Sequence, residues 1–443
     1  PTATITDGNG GLNYTVTLAN NTTGVINAKT VNLAGTRTYD AGTNFTAGAF
    51  AATITGTVGT ETLTIASGTG TVPNPNVAAG TQTLTIGSLA LGNGANGGLA
   101  ANYTFVSGTH TGTITSGAIV VNLAGTRVYD GTVTFIAGQF TPTITGTVNG
   151  ETLTIASGTG TVPSRNVGTQ TLTTGTLALG DGTGLASNYT LVSGTHTGTI
   201  TARPITVTAV TNTKTYNGNT GAAALPTITS GALAGGDTAV LAETYADKNF
   251  GTGKTLTPTA TITDGNGGFN YTVTLVTNVT GVINKAPLTI TAATNTKTYD
   301  GTTTAAAVPT ITSGALVGGD TAVLAETYAD KNFGTGKTLT PTATITDGNG
   351  GLNYTVTLVN NITGVINAAP ITVTASTNSK TYDGTTSAAA LPTITSGALV
   401  GGDTAVLSEL YSNRNAGTGK TLTPAATITD GNGGLNYTVT LVN

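Results

Sequence analysis

Cysteine, methionine and tryptophan are absent from the 443 residues, and charged side chains make up only 8% of them. Without cysteine no disulfide can staple a small fold and no thiolate can hold a metal, although the absence leaves the compartment open. The 15 Lys and Arg stand against 19 Asp and Glu and form no basic cluster, which argues against nucleic acid or an anionic membrane surface as partner. No apolar run approaches the roughly 18 residues that span a bilayer, so no membrane insertion is expected. Only two histidines occur, far apart, and no carboxylates pair outside turns. A catalytic constellation is therefore not expected, and neither is an enzyme.

What is present is Thr, Val, Ile and Tyr, punctuated by 64 glycines and by Asn and Asp. The first group favours strands and the second breaks them, so an all-β chain follows. Average domains carry about 25% charged residues; here Thr, Asn, Ser and Gly must cover the surface instead. Apolar residues alternate with period two at Leu288, Ile290 and Ala292, at Leu256, Ala260 and Ile262, at Tyr271, Val273 and Leu275, and at Tyr354, Val356 and Leu358. That is the pattern of strands buried on one face. Gly318–Asn332 could hold a helical turn, but the matching Asn149–Pro163 is rich in Thr and Gly, and both read as strand.

The chain repeats itself. Pro204, Pro287 and Pro370 open units 83 residues apart, and signature tyrosines stand at Tyr39, Tyr129, Tyr216, Tyr299 and Tyr382. A period this long with strands inside it means an array of small domains. Residues 1–28 read as the C-terminal part of a preceding repeat. Two units opening VNLAGTR follow at 29–117 and 118–203, then three at 204–286, 287–369 and 370–443, the last stopping before the segment equivalent to Ile362–Ala369. The chain thus reads as a window on a longer protein. Breaks within each unit leave about seven short strands, the number in an immunoglobulin-like β-sandwich. Junctions such as INKAPLT are short and carry Pro, so the joints should be semi-rigid and the array an elongated rod. Units this small, without staples, call for packing between neighbours.

Several residues are candidates for chemistry. Asp40, Asp130, Asp300 and Asp383 follow a signature tyrosine, with Asn217 at the equivalent place. Asn keeps turn geometry and loses the charge, so a structural turn is expected over a ligand site. The DGNGG stretches at Asp7, Asp264, Asp347 and Asp430 invite comparison with calcium loops. Counting from Asp264, the twelfth position that an EF-hand fills with a carboxylate is Leu275. A wide hairpin turn is expected there, with calcium held between units as the alternative and no other cofactor. His110 and His196 stand among alternating Thr with no second ligand, and read as solvent-facing. Lys254 and Lys337 raise the idea of a Lys–Asn cross-link, but ordinary exposed lysines are expected. Asn13-Tyr14-Thr15 and its copies match a glycosylation triplet as a by-product of the repeat.

The stretch KTYDGTTTAAAVPTITSG, followed by YADKNFGTGKTLTPTATITDGNGGLNYTVTL, resembles the YDG-type repeat of large bacterial surface proteins, including filamentous-haemagglutinin-like adhesins. Tyr-Asp-Gly stands at Tyr299–Gly301 and Tyr382–Gly384, as TYNG at Tyr216–Gly218, and the ADKN segment at Ala246–Lys254 and Ala329–Lys337. Two units depart from it: one reads TYDAG, with Ala41 before Gly42, and the last reads SNRNAGTGK. The resemblance implies an extracellular stalk or fibre segment whose partners are neighbouring repeats and other copies of the chain. The alternative is a set of lectin-like modules for polysaccharide, against which the missing Trp counts.

Overall fold

The computed structural model describes residues 1–50, 54–192 and 194–443. It is all-β: the only helical elements among the described residues are 3-10 turns of three or four residues, such as Ala186–Asn188. Its contacts divide into two compact units.

The first unit comprises Pro1–Arg203, Leu233–Thr238 and Thr263–Thr272. Its longest strand, Gly117–Val128, alternates buried and outward residues along its whole length. It pairs antiparallel with Phe140–Thr145 and parallel with both Tyr189–Val192 and His196–Thr201. Gly125 on this strand leaves room for two rings, since a Cβ there would lie 2.7 Å from Phe140 and 2.9 Å from Phe135. Residues 1–28 hold no strand, and Tyr14 and Leu18 are exposed. Their alternation has nothing to pair with among the described residues, because the equivalent strand elsewhere pairs parallel with the opening strand of its own repeat.

The second unit comprises Pro204–Ala232, Ala239–Ile262 and Val273–Asn443 and contains residues 287–369 whole. Seven strands run through them: β1 (Ala286–Thr291), β2 (Thr296–Thr298), β3 (Thr310–Ser313), β4 (Thr321–Tyr328), β5 (Gly334–Thr346), β6 (Tyr354–Val359) and β7 (Asn361–Asn367). They form a three-stranded sheet in the order β3-β1-β6 and a four-stranded sheet in the order β2-β7-β5-β4. Gly318–Asn332 contributes strand β4, as its sequence suggested.

The cores do not coincide with the repeats. One cluster joins Tyr216, Tyr245, Leu256 and Ile283 to Leu288, Ile290, Ile345 and Tyr354. The next joins Tyr299, Tyr328, Leu339 and Ile366 to Ile371, Val373 and Tyr437. The long β5 therefore serves two cores, with Ile345 in one and Leu339 in the other. Only one residue, Ala368, separates β7 from the next strand, Ala369–Thr374. Neighbouring repeats share apolar packing rather than hanging from a linker.

Two expectations need correction. Tyr354 is buried, but Val356 and Leu358 are 36% and 45% exposed. β6 is the edge of its sheet, so only its first inward residue reaches the core. The DGNGG stretch from Asp347 is not a hairpin either: β5 and β6, which it connects, belong to different sheets. It is a crossover loop.

Candidate functional site

Where one repeat meets the next, the same arrangement of side chains recurs four times, twice within each compact unit. The tyrosine of the YDG turn is nearly inaccessible in each case, with Tyr39, Tyr129, Tyr216 and Tyr299 all at 6% exposure or less. Its hydroxyl donates to a carboxylate of the following repeat. Tyr216 reaches Asp320 at 3.0 Å and Tyr299 reaches Asp403 at 2.9 Å. In the first unit Tyr129 reaches Asp237 and Tyr39 reaches Glu151, both at 2.9 Å. A second tyrosine, from the NYT stretch of the following repeat, donates to the same carboxylate: Tyr354 to Asp320 at 2.6 Å, Tyr437 to Asp403 at 2.7 Å, Tyr271 to Asp237 at 2.7 Å and Tyr189 to Glu151 at 2.5 Å. Each tyrosine pair meets edge to face, with ring centroids 5.4–5.5 Å apart. Hydrogen bonds to an ionised acceptor are about twice as strong as neutral ones, and these run from buried tyrosines to a carboxylate that is buried at Asp237 and half-buried at Glu151, Asp320 and Asp403. Burial, then the bond to the carboxylate, pushes Tyr129, Tyr189, Tyr216, Tyr299, Tyr354 and Tyr437 up to about 12.

An asparagine clamp lies beside each tyrosine pair. Asn353, fully buried, accepts from the Phe250 amide at 2.8 Å and donates to Asn249 at 3.2 Å. Asn436 holds Phe333 and Asn332 in the same way, Asn270 holds Val167 and Asn166, and Asn188 holds Val77 and Asn76. Arg165 adds a further contact, donating to Asp237 and to the Asp264 carbonyl.

The DGNGG loop sets the clamp in place. Asp347 accepts the amides of Asn349 (2.7 Å), Gly351 (2.8 Å) and Asn353 (3.1 Å). Burial works to raise the Asp347 carboxyl, but these amides outweigh it and hold it below its ordinary value. Asp264 and Asp430 are bound identically. Both carboxylate oxygens are thus spent on the loop's own backbone, and among the described residues no group of three or more His, Cys, Asp or Glu comes together to hold a metal.

The turn aspartates have a local task. Asp300 accepts from the Thr302 amide and hydroxyl, both at 2.9 Å, and pairs with Lys297 at 2.7 Å. Asp383 pairs with Lys380 in the same way, while Asp40 and Asp130 pair with Arg37 and Arg127. Asn217 replaces the aspartate without disturbing this, accepting from Lys214 at 3.0 Å. The next residue needs a positive φ, 77° at Gly218 and Gly301, and in the TYDAG variant Ala41 adopts it at 63°. Asp300→Asn should accordingly cost under about 1 kcal/mol by calorimetry, as a tolerated surface change does. A loss of several kcal/mol, or a melting temperature that calcium raises only in the wild type, would contradict the turn role.

Other expectations fail. His110 is buried, its Nδ1 accepting from the Leu33 amide and its Nε2 facing the Phe105 carbonyl at 2.8 Å, and burial lowers the pKa of the half-buried His196. Neither is solvent-facing, because each begins the strand that pairs against the repeat's opening strand. Lys254 and Lys337 are only 17% and 16% exposed and pair with Asp247 and Asp330 at 2.7 Å. Asn353, Asn270 and Asn436 of the glycosylation triplets are buried in the clamps.

The partners of the tyrosines were missed in the sequence. Asp237, Asp320 and Asp403 stand in GGDTAV and Glu151 in NGETLT, and Asn270, Asn353 and Asn436 precede the NYT tyrosines, all at the repeat period. A polar residue that recurs in phase with a buried tyrosine was the available signal.

Among curated proteins, none is similar to this chain in sequence. Among solved structures, that of Drosophila N-cadherin EC1-4 aligns with 76% of this chain and 99% of its own at 10% identity and a TM-score of 0.19. The family model of the YDG domain matches residues 22–112, 114–197, 201–280, 284–363 and 367–443. The chain belongs to the YDG domain family, as five tandem copies.

Proposed function

We propose that this chain is a stalk or fibre segment of a bacterial surface or secreted adhesin, and that its task is length and stiffness. The observation that carries this reading is the recurrence of one hydrogen-bonded joint at four successive boundaries, a carboxylate held by two tyrosines each time, with two of the four also sharing an apolar core. A joint that holds a carboxylate between two buried tyrosines and clamps a backbone amide resists bending more than a flexible linker does. Ligand affinity, where such a stalk has any, then comes from repetition along its length. The reading places the protein outside the cell and makes its partners neighbouring repeats and further copies of the chain.

Small-angle scattering of the 443-residue chain tests the reading. Sandwiches about 35 Å long joined end to end reach on the order of 150–200 Å over five repeats. A radius of gyration near the roughly 22 Å of one globular domain of this length would end the proposal.

A further inference from the structure

Three of the four joints contain an Asn-Gly pair at a place where chemistry on the asparagine would be felt by the clamp. In the DGNGG loop Asn349 donates from Nδ2 to Asn353 Oδ1 at 3.1 Å, the oxygen that also accepts the Phe250 amide. Asn266 supports Asn270, and Asn432 supports Asn436, each at 3.0 Å. The following residue is glycine every time, with φ of 65° or 66°. A glycine amide nitrogen carries no Cβ at its own residue to shield it. The loop's bonds to Asp347 run from Asn349, Gly351 and Asn353, which leaves the Gly350 amide outside that set.

We propose that Asn266, Asn349 and Asn432 are sites of spontaneous deamidation, and that conversion releases the joint each one supports. The Gly350 nitrogen attacks Asn349 Cγ; the N–Cγ bond forms, the Cγ–Nδ2 bond breaks, and Nδ2 leaves as ammonia with the proton from the glycine amide. Water then opens the cyclic imide to aspartate or isoaspartate, so the net change is water in and ammonia out. The product has no hydrogen to donate. Its carboxylate faces Asn353 Oδ1, acceptor against acceptor, and adds a negative charge beside the buried Asp347. Asn353 can then keep its bond to Phe250 only by giving up its present position. The reaction does not reverse, so each conversion is a permanent loosening.

The fourth joint is a built-in control. Asn188 clamps Val77 and Asn76 as the others do, but the residue four places before it is Gly184, with no amide to lose. What loosening means for stiffness rests on the stalk reading. Whether the clamp opens does not, and amide exchange reads the clamp alone.

The 443-residue chain is held in warm, mildly alkaline buffer and compared with acid-stored protein. Peptide mass spectrometry follows each Asn-Gly, including the surface pair Asn96-Gly97, while amide exchange is read at Val167, Phe250, Phe333 and Val77. Peptides bearing Asn266, Asn349 and Asn432 should gain the mass difference between hydroxyl and amino. In the converted molecules exchange at Val167, Phe250 and Phe333 should rise on the order of tenfold, with Val77 unchanged. Asn349→Asp should reproduce the rise at Phe250 and leave Phe333 protected, which also shows that the rest of the chain is folded. Conversion without faster exchange at the clamped amides, or conversion of Asn96 alone, would overturn the proposal.

Discussion

Replacing Asp320 by alanine should destabilise the joint it serves by about 2–4 kcal/mol, because two charge-assisted hydrogen bonds from buried tyrosines to a half-buried carboxylate disappear together. Tyr216 and Tyr354 both donate to that carboxylate, and the Tyr354 hydroxyl in turn accepts the Val317 amide. Both phenols, themselves buried, would be left without that acceptor. Exchange of the Val317 and Phe250 amides should quicken, while that of Phe333 and Val400, which report the next joint, should hold. Tyr216→Phe removes one donor and should cost about 1–2 kcal/mol. The double variant should lose less than the sum, since the two residues form one network. Strict additivity would mean that the tyrosine and the aspartate act independently, contrary to their geometry.

The same joints should fail in alkali. Tyr216, Tyr299, Tyr354 and Tyr437 titrate at about 12 in the folded chain, against about 10 when unfolded. A group whose folded pKa is raised contributes stability that is whole below the unfolded value and is lost as pH climbs through the folded one. The joints should therefore hold to about pH 10 and open between there and about 12. Tyrosinate absorbance and exchange at Phe250 should change in the same interval. Loss of protection at Phe250 well below it would place the weakness elsewhere.

How much of this was legible in the residues follows from what kind of interaction each part uses. Period-two alternation located β1 because Leu288 and Ile290 are buried in one core with Tyr245, Leu256 and Ile283 of the preceding repeat. The Asp-Gly turn was legible because its bonds are local: Asp300 reaches only Lys297 and Thr302. The joint was not, since Tyr216 and Asp320 lie 104 residues apart and nothing in either neighbourhood announces the other. For the same reason Val356 and Leu358 misled: alternation tells which face a residue takes, not whether anything covers that face. His110 misled in the opposite direction, as the Leu33 amide that it accepts from comes from a strand 77 positions away.

Extending the chain after Asn443 by the residues that follow Asn360, namely Asn-Ile-Thr-Gly-Val-Ile-Asn-Ala-Ala, should stabilise residues 370–443 by about 3–6 kcal/mol, the worth of burying two large side chains. In residues 287–369 strand β7 pairs parallel with β2 and antiparallel with β5. It begins at Asn361, one residue before the Ile362 from which the sequence reads the missing segment. Among residues 370–443 the equivalent of β2 forms no strand, and the equivalent of β5 is Leu422–Thr429, 8 residues where β5 has 13. Tyr382 is 64% exposed where Tyr299 is 3% exposed, and a groove of about 900 Å³ lined by Ser379, Lys380, Tyr382, Lys420 and Leu422 runs where β7 would lie. The added segment should fill that groove, seat its second isoleucine as Ile366 is seated, and bury Tyr382. Exchange without the extension should be fast in 1–28, in Ser379–Thr381 and in Gly417–Leu422, and slow in 204–369. With it, Ser379–Thr381 and Gly417–Leu422 should become protected while 1–28 stays unchanged. If the extension leaves these amides exposed, β7 is not what closes a repeat, and the order of strands in the four-stranded sheet needs another explanation.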